Sequence, residues 1–210
     1  IFVGLPHDYR GDAVLQQLKK DGVEIVLTNR VFIPREYPLV FSDFYSGGRQ
    51  AADHLLALGH RKIGVITGFF NHPESDIRLQ GFLDRLAEEG VAVKPEHISA
   101  GHYSHETGAQ AVIPLLEERV EAIFSISDLM AVGVLKHLQQ AGIKVPQDLA
   151  LVGFGNTLFA RLTTPELTSI DLQNQQVGVK SAEVLLDLIH GKKVEPVNSL
   201  STRLIKREST

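Results

Sequence analysis

Two stretches of the chain, Ile63-Gly64-Val65-Ile66 and Leu149-Ala150-Leu151-Val152, are apolar or glycine at every position rather than at every second one. A strand with one wet face alternates, so continuous runs of this kind read as strands covered on both faces, as in a parallel sheet. Seven further short runs resemble them: Ile1–Leu5, Val23–Thr28, Leu39–Ser42, Ile98–Gly101, Ala122–Ser127, Leu167–Leu172 and Leu200–Ile205. With Lys62–Thr67 and Leu149–Phe154, which contain the first two, that makes nine candidate strands. Most are four to six residues long and bounded by Gly, Pro, Asn or Asp, as strands are. Between them lie segments with apolar residues at helical spacing: Asp12–Lys20, Tyr45–Leu58, Ile77–Glu89, Glu106–Glu118, Leu129–Ala141 and Gln175–His190. Five of these are followed closely by glycine, at Gly22, Gly59, Gly90, Gly142 and Gly191, where a left-handed stop is expected. A repeated strand–helix–strand rhythm predicts an α/β fold, with right-handed crossovers placing helices on both faces of parallel sheets.

Nine strands in one sheet would be wide for 210 residues, so two sheets in two lobes are expected. We place one lobe at 1–68 with 169–191 and the other at 69–168 with 192–210. The crossovers then fall at Thr67–Asp76, Phe159–Pro165 and Gly191–Asn198. A hydrophobic share of 43% and a charged share of 22% suit a globular chain and exclude disorder. Without cysteine there is no disulfide, thiol nucleophile or cysteine-held metal, a usage that fits a reducing cytoplasm. The net charge of −4 has the wrong sign for a domain that grips nucleic acid by itself. No apolar run approaches the roughly 20 residues of a membrane span. The chain opens at Ile1 without a charged leader, and reads as a piece with something missing upstream.

Catalytic patterns are not found. There is no G-x-G-x-x-G after a strand, no phosphate-binding G-x-x-x-x-G-K-[ST], and no G-x-S-x-G; Tyr45-Ser46-Gly47-Gly48 lacks the leading glycine. His102 and His105 stand three apart beside Glu106, but no third ligand is fixed, and they read as solvated histidines at a helix start. His54 and His60 sit near a helix carboxyl end, where an imidazolium meets the negative end of the dipole. No catalytic residue, metal or cofactor is expected.

The polar residues at strand carboxyl ends suggest recognition instead, because ligands of open α/β folds bind there. Asn29 follows Val23–Thr28. Phe41 lies in Leu39–Ser42 and Asp43 follows it. Ser127 and Asp128 follow Ala122–Ile126, and Asn156 comes after Leu149–Phe154. Asp128 reads equally as a helix cap. Phe69, Phe70 and Tyr103 occupy neighbouring loops. Arg78 stands near a helix start, where a positive charge is unfavourable, so it reads as a cation facing the ligand. Amide, carboxylate, guanidinium and aromatic groups together suit a small polyhydroxylated ligand.

Several longer segments carry a resemblance. They are 48–63 (Gly-Arg-Gln-Ala-Ala-Asp-His-Leu-Leu-Ala-Leu-Gly-His-Arg-Lys-Ile), Arg78-Leu79-Gln80-Gly81-Phe82, 122–133 with its Ser127-Asp128 pair, 142–154 ending Val152-Gly153-Phe154, Pro165-Glu166-Leu167-Thr168-Ser169-Ile170, and Arg207-Glu208-Ser209-Thr210. In this order and spacing the chain resembles the effector-binding region of lactose/galactose-repressor (LacI-type) transcription regulators.

The resemblance implies a periplasmic-binding-protein-like fold, with two lobes around a cleft that holds a sugar, sugar acid or sugar phosphate. It implies a repressor, a homodimer in the cytoplasm, and operator DNA bound through a helix-turn-helix headpiece that this chain does not contain. The first βαβα stretch of the N-terminal lobe, on the order of 60 residues, would also precede Ile1. Arg78 matches the family's effector-clamping arginine, Asn29 a pocket position often Asp, Tyr103 a stacking aromatic, and Ser127 the polar residue before the family's Asp, here Asp128. Phe154-Gly155-Asn156 departs from the family, which usually has Asp-Asp after Gly-Phe. The first of those carboxylates normally accepts from the effector, so its loss points to an acidic effector. Two rivals remain at this stage: a secreted sugar-binding protein of a transport system, which shares the fold, and a small α/β enzyme, which no cofactor motif supports.

Overall fold

A computed structural model describes residues 2–3, 12–29, 36–69 and 72–210. Phe70 and the ends of the Ile1–Leu5 run lie outside the described residues. The elements, in chain order, are β1 (Phe2–Val3), α1 (Asp12–Lys20), β2 (Leu27–Thr28), β3 (Leu39–Ser42), α2 (Phe44–Ala57), β4 (Ile63–Thr67) and α3 (Pro73–Glu88). After a 3₁₀ turn at Pro95–His97 come β5 (Ile98–Ala100), α4 (His105–Glu117), β6 (Ala122–Ser125), α5 (Asp128–Gln140) and β7 (Ala150–Gly155). The last are α6 (Leu158–Leu162), β8 (Thr168–Asp171), α7 (Asn174–Ile189), β9 (Val197–Leu200) and β10 (Arg203–Ile205). Among the described residues no helix is long and apolar enough to cross a membrane.

The chain divides into two compact units, Ile1–Asp43 with Gln173–Ser201, and Phe44–Leu172 with Thr202–Thr210. The first holds a sheet in the order β1-β2-β3-β9, parallel throughout. Alternation along β2 and its approach divides its core. Ile25 and Leu27 pack with Leu15 of α1 and Tyr37, while Val26 packs with Val40, Val177 and Val184, the last two from α7. Each helix thus takes one face of the sheet.

The second unit holds a sheet in the order β10-β8-β7-β6-β4-β5. Only β10 runs antiparallel, at the edge beside β8. All five residues of β4 and all four of β6 are buried, as continuous apolar strands require. Helices α2 and α3 cover the face carrying Phe124 and Phe154. Phe82 of α3 stacks on Phe124 with centroids 4.5 Å apart, and α2 passes so close at Gly47 that a side chain there would strike the Phe154 ring. Leu115 of α4 lies over Gly64 on the opposite face.

The expected lobe boundaries differ from these units. β4 hydrogen-bonds to β5 and β6, so the chain changes sheets after Asp43 rather than after Gly68. β8, placed at sequence level with the N-terminal lobe, pairs with β7 instead. Thr67–Asp76 is therefore a connection within one sheet, and most of Phe159–Pro165 is helix α6 with the turn after it. The Leu200–Ile205 run is not one strand. Leu200 ends β9, which pairs with β3, and Arg203 begins β10, which pairs with β8.

Candidate functional site

Strands β4, β5, β6 and β7 are parallel neighbours, so their carboxyl ends open on one edge of the second unit's sheet. Phe69, Tyr103, Ser127, Asp128 and Asn156 all follow these ends, and Arg78 reaches the same edge from α3. Asn29, Phe41 and Asp43 sit at the carboxyl ends of β2 and β3 in the first unit. Of the nine sequence-level candidates, the structure thus gathers six in one unit and three in the other.

Backbone strain gathers at the same places. Among the described residues other than glycine, Asn29, His102, Tyr103, Arg119, Asn156 and Gln173 have positive φ. All but Arg119 lie just past a strand's carboxyl end. Such conformations each cost about 1–3 kcal/mol and cluster where a ligand is held.

Arg78 is half-buried and its guanidinium lies over two neighbouring rings, whose centroids are 6.4 Å apart. Its guanidinium stands 4.7 Å from the centroid of Phe44 and 4.7 Å from that of Phe154. Nη1 donates to the Ile126 carbonyl at 3.0 Å, and Nε is sealed from solvent without a partner among the described residues. Burial pushes the guanidinium below its ordinary value, while Tyr103, Glu74 and Asp128 pull it back through space. The two phenylalanines were missed at sequence level because each also reads as core. Only the structure shows both beneath a cation.

The loops after β4 and β5 supply an aromatic wall. Phe69 is 51% exposed and stacks on His102 at 5.2 Å, with Tyr103 tilted against it at 6.0 Å. The Tyr103 hydroxyl shares a hydrogen bond of 2.9 Å with the Ser75 hydroxyl. Gly68 is what admits the ring, since a Cβ there would collide with it. Among the described residues no group of three or more His, Asp or Glu is arranged to hold a metal, and His105 instead faces Glu106 at 3.2 Å.

Asp128 is only 1% exposed, and its carboxylate is occupied from within. Oδ1 accepts from the Ser169 hydroxyl at 2.6 Å; Oδ2 accepts from the Thr157 N–H at 2.6 Å and the Thr157 hydroxyl at 3.0 Å. Burial pushes this carboxyl up, and the three donors pull it back. The residue clamps α5 to β8 and to the loop after β7. Half-buried Ser127 stands at the N-cap position of α5 without a side-chain capping bond, and its carbonyl accepts from the Ser125 hydroxyl at 2.9 Å. Asn156 Oδ1 accepts from Arg207 Nη2 at 2.6 Å, while its N–H donates to the Ser169 hydroxyl at 3.0 Å. Arg207, which holds Asn156, is a third residue near the candidate edge that sequence reasoning missed. It was noted only as part of a terminal motif.

In the first unit Asn29 Oδ1 accepts from the Ser42 N–H at 3.2 Å, and its Nδ2 donates to Asn174 at 3.4 Å. Phe41 is half-buried, and the Asp43 N–H donates to the Leu200 carbonyl at 2.8 Å.

A cavity of about 660 Å³ opens at the other, amino-terminal edge of the second unit, between the turns at His60, Arg119 and Asp148. Its acidic groups are already engaged. Glu121 accepts from the N–H groups of Arg61 and Lys62 at 3.1 and 3.3 Å, and Asp148 accepts from the Lys144 N–H at 2.8 Å. The partly unpaired arginine and the exposed aromatic therefore favour the carboxyl edge as the place for a ligand.

Comparison with known proteins agrees with this geometry. The family described as periplasmic binding protein-like domain matches residues 52–210. The helix-turn-helix-type transcriptional regulator CelR of Thermobifida fusca is 34% identical over 206 residues, which are 96% of this chain and 61% of that protein. The helix-turn-helix-type transcriptional repressor CytR of Escherichia coli is 33% identical over 89% of this chain and 55% of its own length. Among solved structures, a transcriptional regulator CelR–cellobiose complex superposes with a TM-score of 0.88 at 32% identity, covering 100% of this chain and 64% of that one. The chain thus spans about three fifths of the length of these curated relatives. It belongs to the periplasmic-binding-protein-like domain family, in the form that LacI-type transcription regulators use as their effector-binding region.

Proposed function

We propose that this chain is the effector-binding and dimerisation region of a DNA-binding transcription repressor, and that it senses a small sugar-like molecule at the strand ends around Arg78. The observation that carries the reading is the Arg78 guanidinium set against the neighbouring rings of Phe44 and Phe154 at the carboxyl edge of a parallel sheet. A planar donor fork beside flat apolar faces suits a ring bearing hydroxyl or acidic oxygens. Such a ligand acts as a signal only through its different affinity for two states of the protein. A coupling of about 1–3 kcal/mol changes operator affinity roughly 5- to 150-fold. Operator DNA is held by a helix-turn-helix headpiece outside this acidic chain, in a cytoplasmic homodimer whose two-fold axis matches a pseudo-palindromic operator. Leu158, Phe159 and Leu162, exposed together on α6, offer an apolar face for such pairing. The relatives are regulators, which favours this reading over a transport protein and over an enzyme.

The test is thermal unfolding of this chain against pentoses, hexoses, disaccharides and their acids and phosphates. A native-state ligand raises Tm in a saturable way, and the ligand is recovered unchanged. A set that leaves Tm unmoved, or a ligand that is turned over, contradicts the proposal.

A further inference from the structure

The hydrogen-bonding groups left open at the carboxyl edge of the second unit are unevenly divided between donors and acceptors. Arg78 has donors only, and among the described residues its one hydrogen bond goes to the neutral carbonyl of Ile126. Two carboxylates act on it through space, Glu74 and Asp128. Glu74 faces His72 at 2.9 Å, and Asp128 is buried under three donors. Asn156 adds to the same bias. An arginine cannot accept, so the atom facing Arg207 is Oδ1, and what Asn156 has left to offer is its amide N–H pair. At Gly155, φ is +128° and there is no side chain. A Cβ there would lie 3.5 Å from Asp128 Oδ2, so a carboxylate at this position would stand against a buried like charge. The edge therefore presents a partly buried cation and an amide donor, and among the described residues no carboxylate is hydrogen-bonded to that cation. A buried charge of this kind is stabilised by an opposite one.

We infer that the ligand taken at this edge is a small hydroxylated molecule carrying a carboxylate or phosphate group, which the Arg78 guanidinium receives and the Asn156 amide supports. The inference rests on the effector reading above and narrows it. Charge-assisted bonds from a guanidinium are about twice as strong as neutral ones, so the anionic member of a matched set should bind at least about tenfold more tightly.

The experiment is calorimetric titration of this chain with matched sets built on glucose, galactose and ribose: the neutral sugar, its sugar acid and its phosphate. We expect an acid or a phosphate to bind at least about tenfold more tightly than its neutral parent, and the two arms tell which. That advantage should shrink at high ionic strength, which screens charge pairing, and should vanish in Arg78→Gln. If this variant does not fold, the salt dependence of the unaltered chain carries the test. A neutral sugar that binds as well as its acid and phosphate overturns the inference and leaves the effector reading standing. No binding by any member at millimolar concentration overturns both.

Discussion

Arg207, four residues from the last residue of the chain counted inclusively, donates Nη2 to Asn156 Oδ1 across 2.6 Å, and its Nη1 reaches the Leu167 carbonyl at 2.6 Å. The tail therefore orients an amide at the candidate ligand edge. Arg207→Met removes both bonds, and each charge-assisted bond contributes about 1.5–3 kcal/mol. We expect a fall in stability by urea unfolding. A double-mutant cycle with Asn156→Ala should return a coupling of about 0.5–3 kcal/mol. Additive effects would mean that the pair is not linked.

Two glycines predict opposite outcomes for the same substitution. A Cβ on Gly48 would meet the backbone carbonyl of Arg78 where α2 crosses α3. Gly48→Ala should cost about 1–3 kcal/mol through overpacking, lower Tm by several degrees, and weaken ligand binding because α3 carries Arg78. Gly178 lies inside α7 with nothing within 4 Å of a Cβ. Gly178→Ala should raise stability by about 0.4–1 kcal/mol.

His54 gives a pH dependence of known sign. It is buried on α2, its Nε2 lies 2.8 Å from the Thr210 hydroxyl, and burial, then Lys206 and His60, lower its proton affinity below the ordinary value of 6.5. The folded chain binds this proton less readily than the unfolded one. The contribution of His54 to stability is therefore complete above about pH 6.5 and falls as pH drops below it. His54→Gln should flatten that part of the stability profile, measured by urea unfolding between pH 5 and 8 on the order of half-unit steps.

Asp128 has the opposite slope. Burial raises its carboxyl above the ordinary 3.8, so the folded chain holds that proton more tightly than the unfolded chain. Stability from this group therefore declines as pH rises from 3.8 through the raised folded value. Asp128→Asn removes this slope. It also leaves the donors on Thr157 and Ser169 short of acceptors, a loss of about 1–3 kcal/mol. Urea unfolding as a function of pH reads both effects.

The α/β architecture was legible because its signals are local. Fully apolar runs such as Ile63–Ile66 demand cover on both faces, and the glycines after α2 and α3, Gly59 and Gly90, take the left-handed stop that their place in the sequence implied. Which sheet a strand joins was not legible. β4 and β8 are placed by partners distant in sequence, and nothing within Leu200–Ile205 marks the change of sheet at Ser201. The candidate edge was legible in part. Position after a strand located Asn156, Tyr103 and Ser127. The same rule could not tell an open carboxylate from one closed off by its own neighbours, as at Asp128. Phe44, Phe154 and Arg207 touch the candidate residues Arg78 and Asn156 through contacts across the fold, which spacing along the chain does not carry.

The most direct test of the account is to follow the backbone amide resonances of this chain as a ligand found in the thermal screen is added. Saturable shifts should gather at the carboxyl edge, at Phe69, Arg78, Tyr103, Ser127 and Asn156. Shifts gathered instead around His60, Arg119 and Asp148, at the amino edge, would contradict it.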